Sequence, residues 1–287
     1  MKISDRIKEY YEDRTKTFLM RRMITIIRLD GKGFSKWTKG LNKPFDEGFT
    51  DDMIETAKYL CANIQGAKFA YAQSDEISVV LTDFDNLETS AWFDYNVQKM
   101  TSIAASMATA KFNQLRLIRF AKNNVDPYRS TWASVLDGTM DANEINDFKI
   151  AMFDARVFQV PTVDEMVNVM IWRQQDASRN SVSMAASEYF SHKSLEGVSS
   201  NDKQERLFQE KGINWNDYQV KFKRGTVVKK EEVTFVTKDD EPIDGKTRVI
   251  DTGRIYTRNV WEADVDTPIF TQNKEYLTNI ISKTNGN

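Results

Sequence analysis

Six segments between residues 23 and 160 carry hydrophobic patterns in the order strand, helix, strand, strand, helix, strand. This order constrains the fold more than any other feature of the chain. Met23–Leu29 is a short β-branched run and reads as a buried strand that stops at Asp30-Gly31. Gly48–Ile64 reads as a helix with Met53, Ala57 and Leu60 on one face. Lys68–Tyr71 and Ile77–Leu81 read as a hairpin joined by Ala72-Gln73-Ser74-Asp75-Glu76. A long helix is expected from Thr89 to about Leu115, with Phe93, Val97, Met100, Ala104 and Met107 as its core stripe. Phe153–Val160 reads as the last strand of the set. The order βαββαβ is that of the ferredoxin-like split βαβ unit, an α+β class with an antiparallel sheet and both helices on one face.

Around this unit the patterns are weaker. Ile3–Arg21 reads as a charged N-terminal helix. Thr162, with Glu165 three residues on, forms a capping box for a helix running through Met166, Met170 and Arg173. A short helix is expected near Asp202–Lys211, then strands near Gly225–Lys229 and Glu232–Thr237. The polar stretch Asn123–Asn146 suggests a boundary. It divides the chain into an N-terminal part, 1–137, and a part, 138–287, that completes the sheet. The tail Asn273–Asn287 is polar and is expected to fray.

Composition limits the chemistry. The single cysteine, Cys61, excludes an intrachain disulfide, and with the single histidine, His192, it cannot build a Cys/His zinc site. His192 lies in Ser-His-Lys-Ser and reads as a surface residue, so chemistry should run on carboxylates, lysines, arginines and a hard metal. No run approaches the ~18 apolar residues of a membrane span, and the charged N-terminus argues against a secretory signal. A cytoplasmic protein is expected. The formal net charge of −2 does not announce a nucleic-acid binder. Two local stretches are basic: Lys221, Lys223, Arg224, Lys229 and Lys230, and Lys111, Arg116, Arg119, Lys122 and Arg129.

Asp30 sits at the end of a central strand, and Asp75 lies at a hairpin tip within Ser74-Asp75-Glu76. In a split βαβ sheet these elements are neighbours, so the two carboxylates can converge. With a carbonyl from the Gly31 turn they make an oxygen site suited to Mg²⁺. Two such ions about 4 Å apart could clamp an in-line phosphoryl transfer. Alone, Asp-Gly after a strand and Ser-Asp-Glu in a hairpin are ordinary turn composition. Lys32, Lys36, Lys39 and Lys43 follow the first turn, and some could meet a triphosphate. No GxxxxGK[ST] occurs, which disfavours a Walker-type NTPase.

Taken together, RLDGKGF (28–34) with Lys43-Pro44, AYAQSDEISVVL (70–81), FDARV (153–157), WRQQDASRNS (172–181), KGINWN (211–216) and KRGTV (223–227) resemble the tRNA(His) guanylyltransferase superfamily. The resemblance spans roughly residues 5–230. It implies a palm-like 3′-to-5′ nucleotide polymerase that activates a tRNA 5′-phosphate with ATP and adds a nucleotide, typically from GTP. Asp30, Asp75 and Glu76 would then be catalytic, with Asp30, Asp75 and the Gly31 carbonyl holding two Mg²⁺ ions. Arg28, Lys32, Gly33, Phe34, Lys43 and Ser74 would bind nucleotide. Arg173, Asp176, Asn180, Lys203, Asn214, Lys223 and Arg224 would meet tRNA or a second nucleotide. Trp172 is expected in the core.

Members that add an extra guanosine to histidine tRNA carry HINNLYN after the WRQ element. Here Ser178 stands at its histidine position, and Asn180 is the surviving asparagine. The chain is thus more similar to the bacterial and archaeal-type branch, which implies templated repair of tRNA 5′ ends, recognition of the 5′ end and acceptor stem, and a homotetramer. Strict histidine-tRNA guanylylation, a palm-type nucleotide cyclase and an inactive tRNA-binding module are the alternatives.

Overall fold

The computed structural model describes residues 1–124, 149–237, 247–250 and 255–283. The expected boundary at 137/138 and Arg129 of the second basic stretch lie outside these residues.

Strand β1 (Ile24–Gly31) is central. It pairs antiparallel with β3 (Glu76–Leu81) on one side and with β4 (Phe153–Val160) on the other. β2 (Ala67–Gln73) pairs antiparallel with β3, giving the order β4-β1-β3-β2 of the split βαβ unit. Residues 226–237, expected as two strands, form one strand, β5 (Thr226–Thr237), which pairs antiparallel with β2 and carries the sheet outward. β6 (Thr247–Ile250) pairs with β5 in parallel, the one departure from an antiparallel sheet among the described strands. β7 (Tyr256–Asp264) pairs antiparallel with β5.

Alternation along the inner strands sends side chains to two faces. Ile27, Leu29, Ala70, Ala72, Ile77 and Val79 face α1 (Glu47–Asn63) and α2 (Val97–Asn124), in one apolar cluster. Both crossover helices therefore lie on one face, as the βαββαβ order requires. Ile24, Ile26, Phe69, Tyr71 and Val80 face the other way, against α3 (Val163–Tyr189) and α5 (Glu275–Lys283). Thr162 caps α3 by accepting from the Glu165 N–H, as its sequence suggests. α4 (Ser200–Lys211) packs beside α3, where Leu207 joins Ala185 and Ala186.

Four expectations change. The N-terminal helix runs only from Ile3 to Ile7, followed by single turns to Thr15, and none of these residues is buried. α2 starts at Val97, and Phe93 lies outside it with a left-handed backbone, so the core stripe is Met100, Ala104, Ala108 and Phe112. α3 extends to Tyr189, sixteen residues past Arg173. The tail is ordered through its described residues, where α5 buries Leu277 and Ile281 against the sheet, and residues 284–287 lie outside the described ones.

Two glycines permit close approaches near the end of the sheet. A Cβ on Gly31 would collide with the Phe34 ring, which folds back over the strand end. Gly225 has φ +72°, and a Cβ there would come within 2.6 Å of the Ala72 carbonyl oxygen.

Candidate active site

On the α3 face, the residues of β1 that follow Ile24 and Ile26 in the alternation are Arg28 and Asp30. Gln73 follows Phe69 and Tyr71 on β2, and Ser78 and Glu76 precede Val80 on β3. The apolar layer under α3 thus gives way to a polar one at a single end of the sheet. Register sorts it into two rungs. Asp154, Asp30 and Glu76 stand side by side across β4, β1 and β3. The next rung is Arg156, Arg28 and Ser78.

Asp75 joins the acidic rung through the hairpin. The turn is only Ser74-Asp75, tighter than the five-residue loop expected, and Ser74 adopts φ +48°. The Gly31 N–H donates to the Asp75 carbonyl at 3.1 Å, which ties the tip to the end of β1. Burial first, and then the nearby Asp30 charge, push the Asp75 carboxyl above the ordinary carboxylate range. Neither Asp30 nor Asp75 has an ion pair among the described residues. Both are acceptor-only groups that lack a counter-charge, and the donor set (two carboxylates and turn carbonyls) is hard oxygen. No three His, Cys, Asp or Glu side chains gather as a metal-ligand group among the described residues.

Glu76 is different. Its carboxylate lies 2.9 Å from Arg173 Nε, and both side chains are buried. Burial raises the Glu76 pKa, while Arg173 and Arg28 pull it back. Arg173 Nη2 also donates to Asp176 Oδ2 at 2.5 Å. Arg179 Nη2 donates to Asp176 Oδ1 at 3.2 Å, and Asn180 Nδ2 approaches Asp176 Oδ2 at 3.5 Å. The α3 residues 173, 176 and 180 therefore come together over the carboxylates.

Two cavities meet at this rim. One, of about 310 Å³, is walled by Arg28, Asp30, Asp75, Glu76, Trp172 and Arg173. The other, of about 530 Å³, is walled by Phe34, Leu41, Lys43, Pro44, Asp75 and Met184. Ser74, Asp75 and Asn180 belong to both. Asp75 thus stands on the wall between a polar cleft and a partly apolar pocket that Lys43 also lines.

The other expected site residues lie elsewhere. Phe34 is a core side chain, its ring 5.1–6.0 Å from those of Trp37, Phe49, Phe112 and Phe153, and it also lines the pocket. Lys32 and Gly33 are exposed, and the Lys32 N–H donates to the Met152 carbonyl. Lys203 Nζ bonds Ser183 Oγ at 3.1 Å and links α4 to α3. Asn214 caps a short turn by accepting from the Asn216 N–H. Lys223 is buried, with Nζ on the Asn216 carbonyl, and Arg224 Nε donates to the Thr267 carbonyl.

The stretch from 221 to 230 is therefore not a free basic strip. Lys221 pairs with Glu47 and Asp51, Lys229 pairs with Glu231 and Asp264, and Lys230 lies over Trp261. Trp172 is not core either: it is 48% exposed, with the Arg173 guanidinium 4.2 Å and that of Arg28 5.5 Å from its ring centroid. It sits one residue off the buried face of Met166, Met170 and Arg173, a rotation of about 100° around the helix. Sequence reasoning left Gln73, Asp154 and Arg156 unassigned, although the alternation along β2 and β4 places them on the site's face.

Comparison with known proteins agrees with this architecture. A family model described as tRNAHis guanylyltransferase matches residues 4–161, and one described as the Thg1 C-terminal domain matches residues 164–267. The tRNA(His) guanylyltransferase of Debaryomyces hansenii is 28% identical over 228 residues, 75% of this chain and 76% of that protein. That of Saccharomyces cerevisiae is 25% identical over 237 residues, covering 77% and 90%. A bacterial tRNA(His) guanylyltransferase (Thg1)-like protein solved in complex with ATP superposes with TM-score 0.75 and 38% identity, covering 98% of this chain and 99% of the other. A structure of such a bacterial protein in complex with GTP gives TM-score 0.70 and 36% identity, covering 97% and 98%.

Proposed function

The chain belongs to the tRNAHis guanylyltransferase family, and from that premise we propose that it is a nucleotidyltransferase that extends tRNA 5′ ends in the 3′-to-5′ direction. It uses ATP to activate the 5′-phosphate and adds a nucleotide, typically from GTP, in templated repair. The observation that carries the reading is the shared wall of the two cavities: Asp75 has one substrate volume on each side of it. A reaction between two separate substrates needs two volumes that meet at the reacting atoms. Cyclisation of a single nucleotide needs one.

The pocket with Lys43 takes the nucleoside triphosphate. Lys43 supplies a point charge for its phosphates, and the apolar edges of Leu41, Phe34 and Met184 cover the base. The cleft with Arg28 takes the RNA 5′ end, where this arginine, which has no ion pair among the described residues, meets a terminal phosphate. Asp30, Asp75 and the Gly31 carbonyl would hold Mg²⁺, which supplies charge neutralisation at the reacting phosphate. Asp30 and Asp75 are half-buried, which strengthens their field at the reacting atoms relative to open water. Glu76 holds Arg173, and through Asp176 that arginine fixes Asn180 on the shared wall.

The repair mode rests on Ser178 and its neighbours, which replace the HINNLYN pattern of strict histidine-tRNA guanylylation. A homotetramer in the cytoplasm completes the proposal, and analytical ultracentrifugation reads the oligomer. The deciding experiment gives 5′-end-labelled tRNAs, full-length or lacking the first nucleotide, to the protein with each NTP and Mg²⁺. Extension of the truncated tRNA supports repair. Preference for full-length histidine tRNA overturns the repair mode, and a cyclic nucleotide product with no extension overturns the polymerase reading.

A further inference from the structure

We propose that Trp172 is a stacking platform for the nucleobase at the RNA 5′ end, a subsite on the cleft side of the carboxylates. The proposal rests on the reading of that rim as a nucleotide-adding site.

Trp172 carries the largest apolar side chain on α3, yet 48% of it faces solvent while Met166, Met170, Arg173 and Ala177 are buried. Its exposed side chain lines the cleft that contains Asp30 and Asp75. An indole held this way is a flat surface suited to a base, because every nucleobase presents a π-face. Two cations hold its orientation: the Arg173 guanidinium at 4.2 Å and that of Arg28 at 5.5 Å from the ring centroid. Arg173 is committed to Glu76 and Asp176, whereas Arg28 has no ion pair or side-chain hydrogen bond among the described residues.

Charge around the indole selects the ligand. Arg156 is the register partner of Arg28, so two arginines stand side by side on the same face of the sheet. Arg156 is mostly exposed, and its carboxylate contact, with Asp154, is at 3.7 Å. Like charges directly opposite each other across a sheet are unfavourable unless an anion joins them. A base on the indole with its phosphate over this arginine rung matches a 5′-phosphorylated nucleotide. The triphosphate pocket on the other side of Asp75 does not include Trp172, so the indole serves the polynucleotide and not the incoming monomer.

The test uses the full chain with Trp172→Ala and Trp172→Phe, scored by KM for 5′-phosphorylated tRNA and for the NTP separately. W172A should raise KM for tRNA by about 10- to 100-fold, the range of one base stack, with KM for the NTP and kcat nearly unchanged. W172F should restore most of the loss, which rescues stacking while altering packing. Fluorescence anisotropy with acceptor-stem hairpins, whose 5′-terminal nucleotide is intact or abasic, reads binding without turnover. The abasic hairpin should bind wild type as weakly as the intact one binds W172A, with no further loss when the two are combined. Equal binding of the intact hairpin by wild type and W172A, a rise in KM for the NTP instead, or additive losses would overturn the platform. Tight hairpin binding by wild type with no nucleotide addition would overturn the proposed activity and leave the platform standing.

Discussion

Asp30 and Asp75, forty-five positions apart in sequence, are joined through the backbone: the Gly31 N–H bonds the Asp75 carbonyl at 3.1 Å. This one bond sets the hairpin tip against the strand end and brings two uncompensated carboxylates to one rim. Replacing either by asparagine keeps the shape and removes the charge. Asp30→Asn and Asp75→Asn should each reduce nucleotide addition by more than about 100-fold, beyond what loss of an outer-shell partner costs. Circular dichroism should be unchanged. Full activity in either variant excludes the pair as the metal site.

The same pair predicts a pH dependence. Burial and the Asp30 charge raise the folded-state pKa of Asp75 above the unfolded value. Protonation of this group therefore favours the folded state, and its stabilising effect is lost as pH rises through the raised value. In EDTA, Asp75→Asn should gain in Tm relative to wild type between the ordinary carboxylate range and neutrality. Mg²⁺ should reverse the gain by binding only the ionised wild-type pair. Thermal melts at several pH values, with and without Mg²⁺, decide this, and a pH-independent difference would refute it.

Glu76 and Arg173 form a buried pair, so removing one partner leaves a buried charge. Arg173→Met should destabilise the protein by about 3–5 kcal/mol, and adding Glu76→Gln should recover much of that. Urea denaturation of the two single variants and the double variant gives the coupling. Additive losses would show that the pair is not the unit assumed here.

How far the sequence reveals this site depends on which physical signal each part leaves. The βαββαβ order is legible because Ile26, Ile27, Val79 and Val80 are β-branched and buried on both faces of the inner strands. Asp30 and Asp75 are legible because both stop a strand at a turn. Trp172 misleads because its large apolar side chain suggests burial, and one residue of helix rotation decides exposure. Lys223 and Arg224 mislead because a run of basic residues looks solvated until tertiary contacts with the Asn216 and Thr267 carbonyls are known. α5 is hidden by the polar residues around Leu277 and Ile281, which make its packed face together with half-buried Tyr276 and Ile280.

Inward-turned cations give a prediction about salt. Lys223→Ala and Arg224→Ala should lower Tm yet leave the slope of log K for tRNA against log salt unchanged, because neither releases a counterion from the RNA. Arg156→Ala should flatten that slope by about one unit. Filter binding across salt concentrations separates them, and a flatter slope for Lys223→Ala would show that it reaches phosphate.

The C-terminal helix is a structural element of the α3 face. Leu277 is fully buried, so Leu277→Ala should cost about 2–5 kcal/mol, while exposed Ser282→Ala should be near neutral. A chain ending at residue 272 should fold poorly, by the same contacts. Denaturant midpoints test all three.

The seam between β2 and β5 carries a wider consequence. β2 contributes Phe69, Ala70 and Tyr71 to the centre of the sheet, and its outer ladder is closed by residues 226–229 from far down the chain. An amino-terminal fragment made without β5 would present that ladder as a bare, apolar template for other chains. Selection for monodisperse folding thus acts on both halves at once, and insertions that delay the arrival of β5 during synthesis should be tolerated less well than insertions of equal length in exposed loops.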